Sequence, residues 1–249
     1  MAKLLLVPAL TVLMIFSAVA HAESYLSRAE VDAYIEELIQ QHNFSRPELE
    51  EVLAAAERRQ DIIDLMRRPA ERRLNWHEYS KIFLDEQRIA GGVEFWQQNQ
   101  ATLERAQKEY GVAPEVIVAI IGVETRYGRV TGRHRVVDAL MTLAFVYPPR
   151  ASFFRKELTQ FLLLAREEGK NPISLTGSYA GAMGFGQFIQ SSYRSYAVDF
   201  DPDGVRDIWQ NRNDAIGSVA NYFSRHGWRG AEQVTVPGQL KAETEQLLS

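Results

Sequence analysis

The chain has 249 residues, 46% hydrophobic and 24% charged, an ordinary globular mixture long enough to bury a real core in one large domain or two small ones. Its 28 basic and 32 acidic side chains leave a net charge of −4, which excludes the basic face that a general nucleic-acid binder needs. It contains no cysteine, which excludes a disulfide framework, a thiolate nucleophile, a Cys-ligated zinc and a lipid anchor on cysteine.

The first 22 residues read as a secretory leader: Lys3, an apolar run from Leu4 to Val19, then Ala20-His21-Ala22 as a small-x-small cleavage site. An uncleaved anchor fits less well, because the run is short and ends in a good cleavage site. Removal takes away Lys3 and leaves 27 basic against 32 acidic side chains, a net charge of −5. The expectation is an exported, soluble protein with no stable membrane anchor.

Ser27 with Glu30 reads as a capping box, followed by one helix face of Val31, Ile35, Leu38 and Ile39. Ser45 with Glu48 repeats the device and opens a helix through Leu49, Val52 and Leu53 toward Arg59. A third helical stretch runs from Trp76 to Ile89. After Gly91-Gly92 a long helix carries Phe95, Trp96, Leu103 and Ala106 up to Gly111. Further helices are predicted over Ala113 to Gly128, Val137 to Phe145, Phe153 to Glu167 and Asp214 to Phe223. Strand-like alternation is nearly absent, so the fold is mainly α.

Three stretches depart from ordinary helical patterning. In the first, Pro114 suits an opening helical turn and Gly128 a stop. Ile117, Ile120, Ile121 and Glu124 share one face, so Glu124 is expected in apolar surroundings at the last turn. Desolvation and the negative helix end would both raise its pKa, as a general acid requires. An ion pair with Arg126, Arg129 or Arg133 is the open structural alternative.

In the second stretch, four glycines lie between Gly177 and Gly186, interleaved with Tyr179, Phe185 and, just beyond, Phe188. Such a backbone turns sharply or lets something approach closely. The aromatic residues could stack on sugars, and a tight packing loop between helices is the plainer reading. No phosphate-binding lysine follows, which excludes a P-loop.

The third stretch, Asp199 to Asp207, matches the opening of a calcium loop. Asp199, Asp201 and Asp203 stand at positions 1, 3 and 5, Gly204 at 6, the Val205 carbonyl at 7 and Asp207 at 9. Position 12 is Gln210 instead of glutamate, and Asp214 just beyond could close a longer loop. An acidic surface turn is the alternative.

Together these segments resemble the lytic murein transglycosylase B family, peptidoglycan-cleaving enzymes of Gram-negative bacteria. The carrying motifs are IIGVETRYGRVTG (120–132), YPPRASFF (147–154), GSYAGAMGFGQFIQSSY (177–193), YAVDFDPDGVRDIW (196–209) and DAIGSVANYF (214–223). The resemblance implies a goose-lysozyme-like α+β catalytic core with an additional helical domain. With the leader read at 1–22, it gives a transglycosylase domain at 23–230, followed by a polar tail at 231–249. Within that domain a helical N-terminal part covers 25–110 and the lysozyme-like core 75–230.

By the same resemblance Glu124 is the sole catalytic acid and base, with Ser178 held close to it and Gln187, Tyr222 and Tyr79 facing the sugars. Asp199, Asp201, Asp203, the Val205 carbonyl and Asp214 would hold a structural calcium ion, with no organic cofactor. The implied partners are peptidoglycan glycan strands, with other cell-wall enzymes as candidates, and the implied compartment is the periplasm. The implied reaction is non-hydrolytic cleavage that leaves 1,6-anhydro-muramic ends. A water-using muramidase and a non-catalytic murein-binding scaffold are the rivals. Family members usually continue past the segment matching His226-Gly227-Trp228, whereas this sequence stops at Ser249. It therefore reads as a shortened or truncated member that lacks part of the cleft.

Overall fold

The computed structural model describes residues 25–68 and 74–230. The leader read at 1–22 and the polar tail at 231–249 lie outside the described residues. The described chain forms eleven α-helices and one two-stranded antiparallel sheet. The helices are α1 (Ala29–His42), α2 (Arg46–Ala54), α3 (Gln60–Arg67), α4 (Trp76–Phe83), α5 (Glu86–Gln98), α6 (Gln100–Tyr110), α7 (Pro114–Thr125), α8 (Val136–Phe145), α9 (Ala151–Glu167), α10 (Gln190–Tyr196) and α11 (Arg212–Arg225). Strands β1 (His134–Arg135) and β2 (Thr176–Gly177) pair His134 with Gly177 and Arg135 with Thr176. Among the described residues no helix is long and apolar enough to cross a membrane.

Helix α8 is apolar nearly all round, and all of its residues are buried, so it forms the centre of the molecule. Phe154, Leu158, Phe161 and Leu164 of α9 are buried against it in one continuous core that also takes in α1, α7 and α11. The buried polar groups of these two helices are all engaged. Asp138 accepts two bonds from the Arg135 guanidinium, at 2.8 and 2.9 Å, and one from the Glu57 backbone N–H at 2.9 Å. Glu157 accepts the backbone N–H and hydroxyl of Ser191, both at 2.9 Å. These acids join the N-terminal helices and α10 to the core, since a buried charge must be paired to be tolerated.

The expected capping box at Ser45 and Glu48 is formed in full. The one expected at Ser27 and Glu30 is not: the N-cap position of α1 is Arg28, after a short 3-10 turn. Asp85 caps α5 through a 2.8 Å bond from the Arg88 N–H, so the stretch predicted from Trp76 to Ile89 is two helices. Gly91 and Gly92 lie inside α5 and do not break it, whereas Asn99 divides the expected long helix into α5 and α6. Helices α3 and α10 are additional to the expected set.

Candidate active site

Pro114 opens α7, and Ile117 and Ile121 are fully buried. Ile120 is half-buried, and Glu124, one turn further on, is exposed. The isoleucine face therefore does not bury Glu124, because the helix runs out beyond the core at its last turn. The carboxyl instead opens into a cleft of about 350 Å³, lined among others by Ile120, Gln187, Phe188, Tyr222 and Phe223. The apolar wall strips part of the carboxylate's hydration and raises the Glu124 pKa above its ordinary value. Desolvation is the cause, and no charged neighbour contributes. Among the described residues none hydrogen-bonds or ion-pairs with the Glu124 side chain, and Arg129 pairs with Glu94 at 3.6 Å. The ion-pair alternative is thereby removed.

The turn after Glu124 is unusual. Arg126, Tyr127 and Gly128 have φ of 51°, 62° and 84°, two of them at non-glycine residues for which the left-handed region costs roughly 1–2 kcal/mol each. Tyr127 holds the turn in place. Its hydroxyl donates to the Arg88 carbonyl at 2.8 Å, and its ring lies against the backbones of α5 and α7. A Cβ built on Gly122 would stand 2.5 Å from the Tyr127 hydroxyl, and one on Gly92 2.8 Å from it. These helix-interior glycines exist to admit the ring.

Thr125, next to Glu124 and buried, ties the helix end to the glycine-rich loop. Its hydroxyl donates to the Phe185 carbonyl at 2.9 Å and accepts the Gly128 N–H at 3.0 Å. Phe185 packs so closely on Gly128 that a Cβ there would fall 2.1 Å from the ring. Across the cleft Gln187, itself at φ 48°, donates from Nε2 to the carbonyls of Thr131 and Gly184 at 3.2 and 3.0 Å. Tyr222 of α11 meets Phe188 edge-on and stacks on His226, with ring centroids 4.0 Å apart.

Of the residues expected here, Glu124, Gln187 and Tyr222 are brought together. Ser178 is not among the residues lining this cleft: its hydroxyl accepts the Ala182 N–H at 3.0 Å and closes its own loop. Tyr79 sits on α4 between Trp76 and Phe83 and is also outside the lining. Sequence reasoning missed Thr125 and Tyr127. The small residues Gly91, Gly92 and Gly122 inside helices are the signal that points to Tyr127.

In the acidic loop, carboxylate oxygens of Asp199, Asp201 and Asp203 lie within 4.8 Å of one another. The Gly204 and Val205 N–H groups donate to Asp199 and Asp203 at 2.8 Å, which folds the loop around them. Asn213 and Asn211 donate to Asp201 at 2.8 and 2.9 Å, and the Asn213 bond leads in holding the Asp201 pKa below its ordinary value. Three hard oxygen donors this close fit a calcium-type cation. Val205 follows at the exposed rim. Asp214 lies fully buried against the cluster: its side chain meets that of Asp201, and its two oxygens accept the N–H groups of Phe200 and Asp207 at 2.7 Å. Burial raises its pKa in spite of those bonds.

The chain is similar to several known proteins. A membrane-bound lytic murein transglycosylase B of Escherichia coli K12 is 46% identical over 221 residues, 85% of this chain and 61% of that protein. The chain thus spans 61% of that relative's length. The crystal structure of soluble lytic transglycosylase SltB1 from Pseudomonas aeruginosa superposes with a TM-score of 0.81 at 55% identity, covering 82% of this chain and 69% of that one. The Escherichia coli lytic transglycosylase Slt35 in complex with calcium gives 0.77 at 48% identity, covering 83% and 65%. A family model described as Transglycosylase SLT domain matches residues 27–249, and with these relatives it gives the helical architecture its place: the chain belongs to the transglycosylase SLT domain family.

Proposed function

We propose that this chain is a lytic transglycosylase that cleaves the bond between N-acetylmuramic acid and N-acetylglucosamine in peptidoglycan without using water. The observation that carries the reading is that Glu124 is the single carboxyl group among the described residues lining an aromatic-walled cleft. Hydrolysis by the usual route needs two carboxylates flanking the bond. Other acids such as Asp138 and Glu157 are buried and engaged elsewhere.

One acid is enough when the substrate supplies its own nucleophile. Glu124, whose pKa is raised by desolvation, acts in its protonated form and donates its proton to the glycosidic oxygen as the bond to the anomeric carbon breaks. The muramic acetamido group stabilises the positive anomeric centre. The Glu124 carboxylate then takes the proton of the C6 hydroxyl as that oxygen bonds to the anomeric carbon. Phe188 and Tyr222 offer ring faces and edges for the sugars, and Gln187 a polar wall.

The test is the mass of the muropeptides released from purified sacculi. Ends lighter by one water than the hydrated product support the reading, hydrated ends identify a muramidase, and binding without release identifies a scaffold. The pH profile follows from the same acid. Activity that needs protonated Glu124 falls as pH rises through its raised pKa, so the alkaline limb of kcat/KM lies above that of an ordinary carboxylic acid. A limb at the ordinary carboxylate value would contradict the assignment.

We read the acidic loop as a calcium site with Asp199, Asp201, Asp203 and the Val205 carbonyl as ligands and Asp214 as the brace that joins the two ends of the loop. The ion's contribution is charge neutralisation within the fold and not chemistry at the cleft. Added Ca²⁺ at a hundredfold its Kd stabilises the native state by about 2.7 kcal/mol, seen as a higher Tm. Asp201→Ala abolishes that shift; an equal rise in both proteins would refute the site. With the leader read at 1–22, the compartment of action is the periplasm and the partner is the glycan strand.

A further inference from the structure

Two of the three arginines that the sequence offered as partners for Glu124, Arg126 and Arg129, face a different pocket. Arg88 of α5, with Arg126 and Arg129 of the turn after α7, lines a cavity of about 160 Å³ closed by Asp85, Gln87 and Tyr127. The Arg88 side chain is only 8% exposed, and its Nε and Nη1 are buried with no hydrogen-bond partner. The nearest counter-charge, Asp85, stands 3.9 Å from Nε and spends its other oxygen on the Arg88 backbone N–H. The Arg126 guanidinium has no ion-pair or hydrogen-bond partner among the described residues. Arg129 has only its long, solvent-exposed contact with Glu94.

We propose that this pocket binds an oxyanion, a carboxylate or a phosphate group. A guanidinium stays charged in proteins, and a buried one with unpaired N–H donors is an unfavourable state that an anionic ligand relieves. Its planar fork matches two oxygens of one carboxylate or phosphate. Three guanidinium groups face one carboxylate, so the local charge is positive. The volume is below the roughly 300–1,000 Å³ of sites that hold a whole small molecule, so the cavity suits a single charged group.

Two sources carry that chemistry: a free oxyanion, or a carboxylate of the peptide stem on a glycan strand lying in the neighbouring cleft. The second source rests on the murein reading; the pocket itself does not.

The experiment is calorimetric titration of the full chain with inorganic phosphate, and with the GlcNAc–MurNAc disaccharide with and without its peptide stem. Wild type and two variants are compared, Arg88→Met and the exposed pair Arg126→Gln with Arg129→Gln, each checked for an unchanged Tm. The second variant keeps the test valid if the first does not fold. Loss of roughly tenfold or more in affinity for phosphate or for the stem-bearing disaccharide supports the pocket. An arginine-dependent advantage of stem-bearing over stem-free disaccharide identifies the stem. Arginine-dependent phosphate binding without that advantage identifies a free oxyanion, and it persists even if the disaccharides do not bind at all and the murein reading falls. Affinities that are the same in wild type and both variants, for every probe, overturn the proposal.

Discussion

Glu124→Gln reduces murein turnover by at least about 100-fold, because the amide has no proton to give to the leaving oxygen and no basic oxygen to take one back. The fold survives the change, since no hydrogen bond or ion pair among the described residues is made by the Glu124 side chain. Stability moves in the opposite direction from activity. The folded-state pKa of Glu124 is raised, so its ionisation opposes folding as pH rises above the unfolded-state value. At neutral pH the uncharged glutamine removes that opposition, and the variant melts at the same temperature as wild type or higher. The exposure of the group keeps the gain small. Muropeptide release and thermal melting on the same samples check both halves. Turnover that persists in a folded Glu124→Gln protein would remove the glutamate from the mechanism.

Tyr127→Ala destabilises the protein by about 2–3 kcal/mol, below the roughly 3–5 kcal/mol for a fully buried aromatic ring because Tyr127 is half-buried. The ring fills space that Gly91, Gly92 and Gly122 leave open, so its removal leaves a cavity between α5 and α7 that glycines cannot collapse to fill. The left-handed turn at Arg126 and Tyr127 loses its anchor, and Glu124 on the adjoining helical turn loses its fixed position. Turnover therefore falls with stability. Tyr127→Phe keeps the ring and loses only the bond to the Arg88 carbonyl, about 1 kcal/mol. Urea titration separates the two substitutions; equal and small losses in both would mean that the ring does not hold the turn.

The helices that local chemistry defines were legible in the chain. Ser45 with Glu48, Pro114, and the apolar stretches of α8 and α9 each carry their own start signal or period, and the elements stand where these predict. Local signals misled where a neighbour decides the outcome. Gly91 and Gly92 read as a break because glycine is a poor helix former, yet they continue α5 because Tyr127 needs the space. Helices α3 and α10 have eight and seven residues, too short for a period to stand out.

The candidate site divides in the same way. The order of residues alone places Glu124 on the last turn of α7, sets three aspartates at alternate positions around a tight turn, and joins both to a glycine-rich loop. Those are consequences of helical and turn geometry over a few residues. Only the tertiary structure decides that Glu124 is an unpaired acid in an open cleft instead of a buried one, because the position of the core's edge depends on where α11 and the 185–189 loop pack. It likewise turns Asp214 inward as a brace, and directs Arg126 and Arg129 away from Glu124 toward Arg88. Burial and charge pairing are sums over neighbours distant in sequence, and helical periodicity carries no record of them.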